Sequence, residues 1–245
     1  MLRWLVNGQI DAAPLTVAGY LKRALALFLI VVVLYQVWIF LHICWWVKFN
    51  PASSALMQAR LAAMQDEKPD ARLKYQWVDY AQISGHLKRA VIASEDAKFL
   101  EHQGFDWDGI QLAYEKNLKK GKIVAGGSTI SQQLAKNLFL STKRTPWRKA
   151  QEAVITLMLE QVMSKRRILE IYLNVIEWGN GVFGAEAATQ HYFKTSAARL
   201  SAYQAARLAA MVPNPRFYDK HRNTRYLSRR TATIQARMYQ VRIPK

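Results

Sequence analysis

Two glutamates stand in surroundings unlike those of the other acids in the chain. Glu95 lies in "ASEDAKFLEHQG", where Leu87, Val91, Glu95, Phe99 and His102 recur at helical spacing on an otherwise apolar stripe. A carboxylate on such a stripe is costly unless it is partnered or held in a partly dry site for chemistry. Desolvation by Val91, Ile92 and Phe99 is expected to favour its protonated form. Glu152 follows Arg148 by one helical turn and Lys149 by three residues, and these cations are expected to keep it ionised. Two carboxylates with diverging proton affinities suit general acid–base work at a sugar centre, so the pair suggests glycosyl chemistry. A plain exposed ion pair, Arg148 with Glu152, is the blander reading. Glu170 beside Arg166 and Arg167 reads as a salt-bridged helix residue, and Glu160 and Glu177 have no comparable surroundings.

"GGSTISQQLAKN", Gly126 to Asn137, pairs a sharp glycine bend with a capped helix start, which leaves the first N–H groups of the helix available to an anion. Within it, Gln132 and Lys136 are four apart, as are Gln133 and Asn137, so polar groups gather on adjoining faces. Basic residues follow at Lys143, Arg144, Arg148 and Lys149, a set suited to a substrate phosphate. "GNGVFG", Gly179 to Gly184, matches a dinucleotide-binding spacing, but no series of strand–helix–strand units surrounds it and a glycine-rich turn explains it better.

The elements that must position these residues read as mainly α. Ser84 caps a helix from Gly85 to about Glu101, and Thr129 with Gln132 forms a capping box before "QLAKNLFL". Pro146 begins the helix "WRKAQEAVITLMLEQVM", Ser164 caps "KRRILEIYLN", and Ser201 with Gln204 repeats the capping pattern before "AARLAAMV". "LKYQWVDYAQ" alternates as an extended segment, "YLNVIEW" is a possible strand, and a short helix runs from about Ser54 to Met64.

Residues 24–47, "ALALFLIVVVLYQVWIFLHICWWV", carry no formal charge. At ~1.5 Å per residue they reach roughly 36 Å, enough for a bilayer core of about 30 Å. They read as a transmembrane helix with Trp45 and Trp46 at the interface, since the run is too long for a signal-peptide core and lacks a small-x-small cleavage site. Arg3, Lys22 and Arg23 before the span favour a cytoplasmic N-terminus and an exported remainder. The organisation expected is a tail at 1–23, the span at 24–47, a juxtamembrane connector at 48–70 and a catalytic unit at 71–245. Of 35 Lys and Arg only three precede Val47, and of 17 Asp and Glu only one, so the exported part holds an excess of 16 positive charges. That excess points to anionic partners, with lipid phosphates ahead of nucleic acid beside a membrane. The single Cys44 excludes an intrachain disulfide framework, and no Cys/His cluster has zinc spacing.

"EDAKFLEHQGFD", "GGSTISQQLAKN", "RKAQEAVITLMLE", "SKRRILEIYLN" and "AARLAAMVPNPRFYD" resemble, in order and character, the motifs of the peptidoglycan glycosyltransferases, a lysozyme-like family that polymerises lipid II. The likeness covers about residues 75–219. With the sequence ending at Lys245 and no Ser-x-x-Lys present, it resembles the monofunctional branch, which lacks a transpeptidase.

The resemblance implies a mainly α, lysozyme-like domain preceded by one N-terminal transmembrane helix. It implies a growing glycan on undecaprenyl pyrophosphate as donor and lipid II as acceptor. Glu95 matches the general base and Glu152 the second catalytic glutamate. Asp96, Phe99 and His102 match residues that shape the first site, while Thr129, Gln133, Lys136 and Arg148 match substrate contacts. Gln132, Asn137 and Lys149 join them as substrate-binding candidates. No cofactor is required by the sequence, no metal cage is visible, and Mg²⁺ or Mn²⁺ assists some members. The partners implied are the lipid substrates, the bilayer and other proteins of cell-wall synthesis, with no nucleic acid. The segment between Gly104 and Ile123 is expected to meet the bilayer surface. The acid-free tail from Lys220 reads as a solvated helix face or a headgroup contact. Two rival readings remain: a lysozyme-type hydrolase, which has no need of a pyrophosphate site or an anchor, and a membrane-bound scaffold using its basic surface.

Overall fold

The computed structural model describes residues 16–122, 126–143 and 145–245. The N-terminal tail expected at 1–23, with Arg3 and Asp11, falls largely outside the described residues, as do Ile123 and Arg144. The chain divides into two compact units, residues 1–41 and His42–Lys245. Helix α1, Val17–Trp46, supplies the first unit and continues into the start of the second. Its 18-residue window of mean hydropathy 2.7 is only 6% buried, which separates it from the core helix of a soluble protein. It starts seven residues before the expected span, with Thr16 accepting from the Gly19 N–H at 3.3 Å. A window chosen for zero charge stops at Arg23, whereas a helix tolerates Lys22 and Arg23.

In the second unit, α2 (Ala55–Glu67) is capped by Ser54 and packs on α5 (Ile130–Phe139). Strand β1, Lys74–Tyr75, is shorter than the alternation suggested. Asp79 and Gln82 form a capping box of their own and bend the chain into a 3-10 turn at Tyr80–Gln82. Helix α3 (Gly85–Glu95) begins at Ser84 as expected but ends six residues early. It is followed by α4 (Trp107–Lys120), by α5 behind the Thr129–Gln132 capping box, and by α6 (Pro146–Val162), with Pro146 in its first turn.

Helix α7 (Lys165–Val175) absorbs most of "YLNVIEW", because Ser164 caps it and Ile168, Leu169, Ile171, Tyr172, Leu173 and Val175 are all buried at helical spacing. Only Glu177–Gly179 remains as strand β2, joined to β3 (Val182–Phe183) by the turn that the glycines of "GNGVFG" suggested. The sheet order is β1-β3-β2, parallel between β1 and β3 and antiparallel between β2 and β3. Helices α8 (Ala185–Phe193), α9 (Ala202–Met211), α10 (Pro215–Lys220) and α11 (Arg225–Arg237) complete the unit. Two packed groups position the site: α9 lies against α3 and α11, and α5 lies against α6 and α7.

Candidate active site

Glu95 is the last residue of α3, and the chain turns immediately afterwards because Asp96 is claimed by distant partners. Its Oδ1 lies 2.9 Å from His102 Nε2, and its Oδ2 accepts the Ile130 N–H at 3.0 Å. His102 Nδ1 accepts the Gly104 N–H at 3.2 Å, which leaves the ring proton on Nε2 to be donated to Asp96. Thr129 donates its hydroxyl to the Gly104 carbonyl at 2.6 Å while capping α5. Gly104 has φ +92°, and a Cβ there would sit 2.7 Å from Thr156 Cγ2, so both backbone and space require glycine.

This network corrects two expectations. Phe99 and His102 do not continue the α3 stripe; they return through turns, and Phe99 is fully buried beneath Lys165, whose Nζ is 4.6 Å from its ring. The α5 N-terminus does not present all its first N–H groups to an external anion either. Ile130 spends its own on Asp96, and the Gln132 N–H goes to Thr129 Oγ1 at 3.2 Å.

The Glu95 carboxylate is surrounded by donors rather than by the apolar wall expected. Its Oε1 accepts from Ser94 Oγ at 3.0 Å and its Oε2 from Gln133 Nε2 at 3.1 Å. The Gln133 amide is oriented from behind, because Tyr172 donates to its Oε1 at 2.9 Å. Burial, with Glu95 and Asp96 adding to it, pushes the Tyr172 phenol well above its usual value and keeps it a neutral donor. Arg230 donates to Ser94 Oγ at 3.0 Å and reaches within 3.6 Å of Glu95 Oε1. The tail is therefore neither a solvated face nor a headgroup contact at this position. Helix α11 packs on α9 and α3 and brings Arg230 inward, an association no local spacing reveals.

Glu152 lies on α6 with its side chain 4% exposed, held by Arg148 Nη1 at 2.9 Å and by Lys149 Nζ. This is the cationic setting expected for it. It lines a cleft of about 430 Å³ to which α5 contributes Gln132, Gln133, Lys136 and Asn137, and α6 contributes Arg148 and Lys149. Arg148 Nε is buried there without a hydrogen-bond partner, a donor left over after the pairing with Glu152. Gln133 joins the two carboxylate regions, lining the cleft while donating to Glu95. The Gln132 side chain is largely spent on its capping box, accepting the Thr129 N–H at 3.0 Å.

Among the acids set aside from sequence, Glu170 is paired with Arg167 at 2.6 Å as expected. Glu160 accepts from Ser131 Oγ and from Lys165 Nζ at 2.8 Å, tying α5 to α6. Glu177 does have notable surroundings. It is buried beside Arg60 in the wall of the cleft, and burial pushes its carboxyl up against the opposing pull of Arg60, Arg216 and the Gly181 backbone N–H. Among the described residues, no group of three or more His, Cys, Asp or Glu could hold a metal ion.

A mainly helical, lysozyme-like unit with two separately supported glutamates and a cation-lined cleft defines a glycosyl-transferring enzyme. The chain belongs to the transglycosylase family, whose model matches residues 61–239. A Methylobacillus flagellatus protein named biosynthetic peptidoglycan transglycosylase is 72% identical over 222 residues, 91% of this chain and 97% of its own. A Laribacter hongkongensis protein of the same name is 63% identical over 244 residues, spanning 100% of both chains. A third, from Chromobacterium violaceum, is 62% identical over 224 residues, 91% of this chain and 98% of its own.

Proposed function

We infer that this chain is a peptidoglycan glycosyltransferase that extends glycan strands from lipid II. In the reaction, the 4-hydroxyl oxygen of the acceptor sugar bonds to the anomeric carbon of the donor glycan. The bond from that carbon to the undecaprenyl pyrophosphate oxygen breaks, and the hydroxyl proton passes to the Glu95 carboxylate. Ser94 and Gln133 fix the two carboxylate oxygens, and Asp96 and His102 hold the turn that ends α3. Arg148, Lys149 and Lys136 offer charge to the departing pyrophosphate, and Glu152 holds the first two in place. Thr129 and Gln132 support this surface from the α5 cap, and Asn137 lines the cleft. The observation that carries this assignment is the Gln133 bridge, which sets the proton acceptor beside the cationic cleft. Among the described residues no group of three or more His, Cys, Asp or Glu forms an all-protein cage for Mg²⁺ or Mn²⁺.

The substrate is a lipid-linked glycan, and α1 suits a membrane anchor. We place it in the bacterial cytoplasmic membrane with the N-terminus inside and the catalytic unit outside. In support, α4 exposes Trp107, Leu112, Tyr114 and Leu118 alongside Lys116, Lys119 and Lys120, a combination suited to a headgroup layer. Purified full-length protein given lipid II should make polymer. Release of fragments from finished wall with no polymer from lipid II would overturn the assignment in favour of a hydrolase. A reporter fused after Lys245 should be active only outside the cytoplasm.

A further inference from the structure

Arg60 of α2 and Glu177 of β2 are 117 residues apart and meet as an ion pair in the wall of the cleft, Arg60 Nε to Glu177 Oε2 at 3.0 Å. The Glu177 side chain is 5% exposed, so its carboxylate has lost nearly all of its water. A pair that served packing alone would satisfy both carboxylate oxygens, because a buried acceptor without a donor is costly. Oε1 is nonetheless buried without a hydrogen-bond partner, the attraction of the Gly181 backbone N–H for the carboxyl falling short of a formed bond. Both residues line the cleft, and the Arg60 guanidinium balances the charge, so the pair does not repel an anionic substrate.

We propose that Glu177, held by Arg60, is a substrate-binding residue whose Oε1 accepts a hydrogen bond from an uncharged N–H or O–H donor on an amino-sugar unit of the glycan. This rests on the cleft being the substrate site. The first contact group then includes α2, so the stretch next to the apolar helix takes part in recognition as well as spacing.

Glu177→Gln tests it in the full-length protein with lipid II. Glutamine keeps the shape but has one acceptor oxygen; Arg60 claims it, and an NH₂ faces the ligand donor. KM should rise roughly tenfold, the factor typical of a lost buried hydrogen bond, with kcat within about twofold. Lipid II analogues lacking single hydroxyls or acetamido N–H groups should include one that weakens binding to the wild-type protein but not to Glu177→Gln. Should the glutamine variant lose more than about 10 °C of Tm, Glu177→Asp replaces it. That variant keeps the charge beside Arg60 but retracts from the cleft, and the same rise in KM is expected. Arg148→Ala is the control for the cleft. If it raises KM while neither Glu177 variant does, the Glu177 assignment is wrong and the cleft reading stands. If none of the variants moves KM, the cleft reading itself fails.

Discussion

Replacing Glu95 by glutamine should abolish polymerisation while leaving the fold almost intact, and the two magnitudes come from separate features. General-base removal is worth 10²- to 10⁴-fold in rate, about 2.7 to 5.4 kcal/mol at ~1.36 kcal/mol per decade. The fold has a ready substitute for each lost contact. The glutamine carbonyl can keep the Gln133 donor, and its NH₂ can face Ser94 Oγ, whose hydrogen then turns to the Ala209 carbonyl at 3.4 Å. Only the attraction of Arg230 is lost, and that side chain is 29% exposed. Solvent screening limits this loss to about 1 kcal/mol or less, roughly 2–4 °C in Tm. Lipid II turnover and thermal unfolding of the same preparation provide the assay. Turnover above about a tenth of wild type would remove Glu95 as the proton acceptor. A collapse of Tm together with activity would make it a structural residue.

Gly104→Ala forces a side chain into a left-handed backbone and against Thr156. A cost of about 2–4 kcal/mol, read as a Tm lower by roughly 4–16 °C, should follow, and an unchanged Tm would contradict the geometry. Arg148→Ala removes a charge-assisted contact worth about 1.5–3 kcal/mol, so kcat/KM should fall roughly 10- to 150-fold; unchanged kinetics would undo the pyrophosphate assignment. For Asp219, burial pushes the carboxyl up, but His191, the Asn180 N–H, Arg222 and Tyr192 outweigh it and hold it below its usual 3.8. A depressed folded value means stability that is present above about pH 4 and lost as pH falls through the folded value. The Tm advantage of wild type over Asp219→Asn should therefore shrink below about pH 4, and a gap that widens there would reverse the sign.

Helix starts were legible because their signals are local. Ser54, Ser84, Thr129, Pro146, Ser164 and Ser201 each act within three residues. The end of α3 was not, since the residues that claim Asp96 lie six and 34 positions away, and periodicity simply ran on through Phe99. The same distance hid the character of the Glu95 site. Sequence neighbours suggested apolar walls, whereas Gln133 and Arg230 arrive from α5 and α11. Glu177 was passed over because its cation comes from α2, far upstream. Glu152 was legible because both of its cations lie on its own helix.

The Gln133 amide behind Glu95 has a consequence for proton traffic. It donates to the carboxylate and accepts from the Tyr172 hydroxyl, yet an amide N–H holds its proton, so this contact orients without conducting. The proton that Glu95 takes in one cycle has no exit through Gln133 toward the buried phenol. Of the two donors on the carboxylate, only the Ser94 hydroxyl at Oε1 is of a kind that can pass a proton on, so the Gln133 side holds the group still while the Ser94 side and the substrate face are where its proton can be exchanged.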